Sequence, residues 1–274
     1  MGVWQVTGHS VRGASHVRSG LPNQDAIGWI ESADRSGRVL LAVADGHGSA
    51  KCFRSDYGSR FAIDAVKALM SAPEIPDVAR FPANLIRTWR QSVEEHLRDN
   101  PISTRSLLQL ERKLGKDARR SVEADPILAY GSTLLAVVAS ESSLLYVQLG
   151  DGDILTVSSE GDVSRPWPRE QDRFGDETAS LSTGGADREV RMQTDLATER
   201  MPALILLSTD GYANSFREDG GFLAVGTDLL RIIQTEGIAP ITENLELWLR
   251  EASDLGSGDD ITVGLLWRNG TTAS

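Results

Sequence analysis

A single cysteine, Cys52, stands in a chain of 274 residues. One thiol cannot build an internal disulfide framework, and such scarcity fits a reducing compartment. Nothing around Cys52 suggests a nucleophile. Histidine is rare too, with four in the chain, so no Cys/His cluster of the kind that holds zinc is on offer. Positive charge is in deficit: 28 Lys and Arg against 39 Asp and Glu leave a formal net charge of −11. That balance argues against nucleic acid or an anionic membrane as partner, since both ask for a basic footprint. No apolar run approaches the roughly 18 residues of a membrane span. The opening Met1-Gly-Val-Trp-Gln lacks the basic-then-apolar order of a signal peptide. The expectation is a cytoplasmic protein.

What the chain does have is enough apolar content, 40%, to bury a sizeable core. Its densest stretch is Val39–Ala44, six apolar residues that run into Asp45-Gly46-His47-Gly48. A continuous apolar run bounded by glycine reads as a strand covered on both faces. Asp45 at its end is an anion at the lip of a dry core, which costs several kcal/mol unless it is paired or holds a metal.

In chain order, Trp4–Thr7 suits a half-buried strand, and 8–20 reads as a loop. A strand at 26–30 then makes a hairpin with 39–44 across a turn at 34–37. Ser55 could cap a helix over 56–70 with Tyr57, Phe61, Ala65 and Leu69 as its stripe. A second helix covers 82–98 on Leu85, Trp89, Val93 and Leu97, and more helix reaches Pro126. The basic cluster Arg112, Lys113, Lys116, Arg119 and Arg120 reads as a solvated face. Hairpins follow at 132–149 and 154–163, then a long patternless stretch, 165–201, of the kind that is usually functional. A strand at 203–209, helices near 223–234 and 241–252, and a strand at 261–267 complete an α+β chain, read as one domain over 1–274 with a tail at 268–274.

The acids carry the chemistry. Asp45, Asp151 and Asp210 each follow an apolar strand, while Asp25 and Asp259/Asp260 each precede one. In an antiparallel sheet, the end of one strand and the start of its neighbour share a rim. Acids scattered from residue 25 to 260 therefore gather at one edge, where they repel unless neutralised. Hard oxygen ligands favour Mg²⁺ or Mn²⁺ over Zn²⁺, and such ions activate water and balance charge in phosphoryl transfer.

In order and spacing, Asn23-Gln24-Asp25, Asp45-Gly46-His47-Gly48, Gly131-Ser132-Thr133, Gly150-Asp151, Ser208-Thr209-Asp210-Gly211 and Gly258-Asp259-Asp260-Ile261-Thr262 resemble the motif series of the metal-dependent protein phosphatases of type 2C, in a bare, bacterial-type single domain. The resemblance implies a four-layer α-β-β-α sandwich, two mostly antiparallel sheets flanked by helices. It implies hydrolysis of phosphoserine and phosphothreonine by a water bridging two Mg²⁺ or Mn²⁺ ions, with a third, weaker ion beside them. Asp45 would bridge the ions, the Gly46 carbonyl would bind one, and Asp210 and Asp259 would complete the other. Asp151 would share the third ion with Asp210, and Asp25 would act through waters. His47 matches the general acid. Residues 165–201 would be the flap governing access. The implied partner is a phosphorylated protein, opposing a serine/threonine kinase.

The sequence departs from that pattern near the substrate. Gln24 replaces a glutamate, and Gly20 stands where the phosphate-binding arginine belongs, so Arg18 is the nearest stand-in, with His16 behind it. Gly152-Asp153 replaces a Ser-Arg pair and adds an acid near the site. Asp260 reads as orienting its loop. These departures motivate a second reading, a catalytically weak phosphatase-like binding or regulatory module. Retention of Asp45, Asp210 and Asp259 counts against it. A calcium loop starting at Asp151 is disfavoured, because its twelfth residue is Asp162 where a glutamate is required.

Overall fold

The computed structural model describes residues 3–31, 37–71, 77–168, 179–196 and 201–268. Residues 34–36 of the turn expected above and most of the tail fall outside them. Strands β1 (Trp4–Val11), β6 (Asp153–Val157), β7 (Val163–Ser164), β9 (Leu204–Ser208) and β10 (Ile261–Arg268) form one antiparallel sheet in the order β1-β10-β9-β6-β7. A second antiparallel sheet runs β2 (Ala26–Glu31), β3 (Val39–Ala44), β4 (Leu134–Ala139), β5 (Ser143–Leu149) and β8 (Arg191–Leu196).

The two sheets pack face to face, and β3 shows why its sequence is apolar throughout. Val39, Leu41 and Val43 point into the inter-sheet core with Trp4, Val137, Tyr146, Ile205 and Leu207. Leu40, Ala42 and Ala44 point the other way, into a core shared with helices. That outer layer holds α2 (Ser55–Met70), α3 (Phe81–Asp99), α4 (Thr104–Leu114) and α5 (Lys116–Ala124), centred on Trp89, Leu85 and Val66. On the opposite face, Leu204, Leu206 and Leu265 meet α7 (Asp219–Glu236) and α8 (Ala239–Leu255) through Phe222, Leu230, Ile241 and Leu249. The result is the four-layer sandwich that the resemblance implies.

Several local expectations are corrected. The glycine- and serine-rich stretch after Thr7 stays in β1 to Val11, because β10 pairs with it along its whole length; sheet context overrides local propensity. The rest of that expected loop contains the short helix α1 (Ala14–Ser19). In α2 the buried face is Gly58, Ser59, Ala62, Ile63, Ala65, Val66 and Met70; of the expected stripe only Ala65 is fully buried, Phe61 and Leu69 are partly so, and Tyr57 is exposed. Small residues face the sheet there, and the aromatic rings lie at the helix edge. Ser55 is the first helical residue rather than its cap. The helix expected up to Pro126 breaks at Gly115, whose φ of 88° suits glycine. The basic cluster lies on a solvated face, with Arg119 bonded to Glu111 and Glu123. The 165–201 stretch is not structureless: it supplies β8, an edge strand whose polar sequence, RMQTDL, hides it from a periodicity search.

Candidate metal centre

Antiparallel pairing brings the acids together as the strand ends required. Ala26 pairs with Ala44, so Asp25 and Asp45 flank one end of the β2–β3 pair. Val263 pairs with Ser208, so Asp210 and Asp259 flank the same end of β9–β10. The two sheets present these ends on one rim. There the carboxyl groups of Asp45 and Asp210, from different sheets, come close enough for each to shift the other's protonation.

The Asp45–His47 turn is pinned from both sides. The Asp45 N–H donates to Thr133 Oγ1 at 3.0 Å. The Asp45 carbonyl accepts from the Thr133 N–H at 2.8 Å, and the His47 N–H donates to the Gly131 carbonyl at 3.1 Å. On the other side the Gly46 N–H donates to the Gln24 carbonyl at 3.1 Å. A Cβ on Gly46 would sit 2.5 Å from that same carbonyl oxygen and 2.7 Å from the Ser55 carbonyl, so only glycine fits. The bridge to Gly131–Thr133 uses the Asp45 carbonyl and the His47 N–H, and the Gly46 carbonyl takes no part in it.

Asp25 is buried beneath the rim and clasped by threonines: Thr209 and Thr262 each donate to its Oδ2 at 2.8 Å. Asp260 is also buried, and it spends both oxygens on the chain. It accepts from the Gly13 N–H at 2.6 Å, the Gln24 N–H at 2.6 Å and His16 Nδ1 at 2.9 Å. Asp260 thus fastens the segment carrying α1 and Gln24 to the turn that carries Asp259. The His16–Asp260 pair is not legible in the sequence, since the two residues lie 244 positions apart with no shared motif. Arg18 itself is exposed. Its guanidinium lies by the same turn, with Nη2 3.8 Å from where a Gly258 Cβ would stand. Asp153 is not a site acid. It is buried in β6 and paired at 2.5 Å with Arg165, which also grips Asp219 on α7 at 2.6 Å.

Charge at the rim is pooled. Burial pushes the Asp45 carboxyl well above the usual carboxylate range, and the neighbouring Asp25, Asp210 and Asp259 push it further. Burial likewise raises Asp25 well above that range, with Asp260 adding to it and the two threonine hydroxyls opposing. Burial raises Asp210 too; Asp151 and Asp259 reinforce the rise, while the neighbouring Asp45 carboxyl offsets part of it. Asp151 and Asp259 therefore stand within electrostatic reach of Asp210. No cation figures among the leading influences on these three acids.

Among the described residues, no three His, Cys, Asp or Glu side chains already stand as a closed ligand set. The fit to a divalent cation is one of chemistry and charge. The donors are hard oxygens, and among the described residues the leading influences on Asp25, Asp45 and Asp210 are burial and one another's charge, with no cation among them. Gln24 adds an independent sign: its side chain is buried, and its Oε1 has no hydrogen-bond partner. A buried acceptor left unpaired costs roughly 1–3 kcal/mol, which a cation's water shell would relieve.

The family profile described as protein phosphatase 2C matches residues 12–250. No curated protein matches the chain. Among solved structures, the catalytic domain of the serine/threonine protein phosphatase PstP in complex with two manganese ions is 19% identical, with a TM-score of 0.59 over 98% of this chain and 99% of that one. The Mycobacterium tuberculosis phosphatase PstP/Ppp is 18% identical, with a TM-score of 0.58 over 97% and 98% of the two chains. The S. agalactiae serine/threonine phosphatase is also 18% identical, with a TM-score of 0.58 over 96% and 99%. At such identities the likeness speaks for the fold.

Proposed function

The chain belongs to the protein phosphatase 2C family, and from that membership we propose how its own residues hydrolyse phosphoserine and phosphothreonine in proteins. The observation that carries the reading is the meeting of Asp45 and Asp210, delivered by two different sheets to one rim, where burial and neighbouring acids raise both carboxyls. Two Mg²⁺ or Mn²⁺ ions, when bound, supply a Lewis acid that makes water a nucleophile and balances charge on the transferring phosphoryl group.

Asp45, the Gly46 carbonyl, Asp210 and Asp259 would hold these ions, and Asp151 would share a third with Asp210. Asp25 and Gln24 act from beneath, through water. Asp25 is oriented for that by Thr209 and Thr262, and Gln24 by its buried, unpaired Oε1. His47 donates a proton to the serine or threonine oxygen as it leaves. Arg18 takes a phosphate oxygen of the substrate at the rim.

We read residues 1–274 as one phosphatase-like domain, which the pairing of β1 with β10 near the two ends of the chain supports. Residues 165–201 govern access to the rim. Within this reading the protein opposes a serine/threonine kinase in the cytoplasm. The one cysteine is buried and in no disulfide, which suits a reducing compartment, and no helix among the described residues is long and apolar enough to cross a membrane. The test is turnover of a phosphothreonine peptide and of p-nitrophenyl phosphate with Mn²⁺ and then with EDTA. The account expects both to stop with EDTA. Failure to turn over either substrate with Mn²⁺ would favour the non-catalytic binding module.

A further inference from the structure

His47 lies against a glycine whose backbone does not require one. Gly131 has φ −48° and ψ 132°, a conformation open to any residue. What it lacks is room. A Cβ built on Gly131 would stand 2.8 Å from His47 Cδ2, 2.8 Å from Cys52 Sγ and 3.3 Å from Ser180 Oγ. Carbon atoms in contact rest at about 3.5–4.0 Å, so the imidazole and the sulfur occupy the space a side chain would need. The bare Cα is a floor under the ring, with Cys52 and Ser180 beside it.

The surroundings of that floor are buried and tied. The His47 N–H holds the Gly131 carbonyl at 3.1 Å. The next N–H, of Ser132, donates to Ser180 Oγ at 3.1 Å, and the Ser180 and Ser182 hydroxyls meet at 3.0 Å. Ser132, Ser180 and Ser182 are all buried. The Leu181 N–H adds a bond to the Ser132 carbonyl at 2.9 Å. Ser180 arrives from the 165–201 stretch, so the seat joins the turn after β3, the approach to β4 and the access segment.

Resting on the reading of His47 as proton donor, we propose that Gly131 and Ser180 are positioning residues that fix the aim of its imidazole at the leaving oxygen. Gly131 does so by leaving space for the ring, and Ser180 by holding the Ser132 amide next to that space. The same contacts make the base of the access segment part of the proton donor's mounting.

A serine or threonine alkoxide needs a proton as it leaves, whereas nitrophenolate departs without one. Loss of aim should therefore be selective. Gly131→Ala should lower kcat on a phosphothreonine peptide about tenfold more than on p-nitrophenyl phosphate, a fraction of the roughly 10²–10⁴-fold that general acid catalysis contributes. Ser180→Ala should show the same bias more weakly, and Ser180→Thr, which keeps the hydroxyl, should restore the wild-type ratio. Mn²⁺ titration by calorimetry should match wild type for the Ser180 pair, which carries the test if Gly131→Ala does not fold; Ser180→Ala should melt lower, because it strands the buried Ser132 N–H. His47→Ala in the same assay separates the two layers of the argument. If His47→Ala lowers both substrates equally, the proton-donor reading fails. If His47→Ala is selective but Gly131→Ala and Ser180→Ala are not, the positioning proposal is overturned.

Discussion

Asp210 faces two demands: it accepts from Asn214 Nδ2 at 3.0 Å, and its carboxyl stands within electrostatic reach of Asp45, Asp151 and Asp259. Asp210→Asn keeps the shape, removes one repelling charge from the rim and deletes a proposed metal ligand. Losing even an outer partner of a metal ligand costs about 10–100-fold in affinity or activity, so kcat/KM should fall by about 100-fold or more. The melting temperature without metal should hold or rise. An active Asp210→Asn enzyme would place the centre elsewhere. Arg18→Ala should raise KM about fivefold while changing kcat less, as expected for uniform binding of the phosphate. An unchanged KM would retire Arg18 from that role. At this scale the strand-end acids were legible because each abuts an apolar run, and an acid there has few bland explanations. The two threonines that clasp Asp25 were less visible. Thr209 and Thr262 lie inside quoted motifs, but only the register of β9 against β10 shows that they meet over one carboxylate. The His16–Asp260 pair links residues with no periodic relation, so no local pattern could disclose it.

Among the elements, the junction of β6, β7 and α7 is held by one cation. Arg165 lies between the buried Asp153 and the more exposed Asp219, with its guanidinium 5.8 Å from the Phe222 ring centre. Arg165→Ala leaves Asp153 buried and unpaired, which should destabilise the protein by about 3–5 kcal/mol in urea unfolding. Asp153→Asn added to that variant should recover part of the loss. Equal instability of the double variant would mean that the cost is lost packing rather than a stranded charge. Elements were legible where one period dominated. β3 and β9 announced themselves as unbroken apolar runs, and α3 as the stripe Leu85, Trp89 and Val93. β8 was missed because an edge strand with one partner has no need of an apolar face. The buried face of α2 was misread because it is built from Gly58, Ser59 and Ala62 rather than from the neighbouring rings.

For the molecule as a whole, the rim is a liability that folding accepts in exchange for a cation site. Asp25, Asp45 and Asp210 have carboxyl pKa values above the usual range in the folded state. Above those raised values the groups are ionised whether folded or unfolded, and the folded state bears their repulsion. As pH falls from there toward the ordinary carboxylate value of about 3.9, the folded state binds protons that the unfolded chain does not, so these groups favour folding increasingly. The metal-free protein should accordingly melt at a higher temperature at mildly acidic pH than at pH 8, until other carboxylates titrate. Mn²⁺ should raise the melting temperature most at pH 8 and progressively less as protons compete for the same oxygens. A melting temperature that Mn²⁺ leaves unmoved at pH 8 would count against the pooled-charge account. The α+β class followed from strand-rich halves on either side of a helical block, and the shared rim from the acids at strand ends. The division of the strands into two facing sheets came only through the family resemblance, because nothing local in a strand says which sheet it joins.

Anomalous diffraction from a crystal soaked in MnCl₂ tests the central claim most directly. The account expects manganese peaks on the rim between Asp45 and Asp210, with Asp259 and the Gly46 carbonyl among the ligands. Manganese bound only elsewhere, with no peak within ligand distance of Asp45 or Asp210, would contradict it.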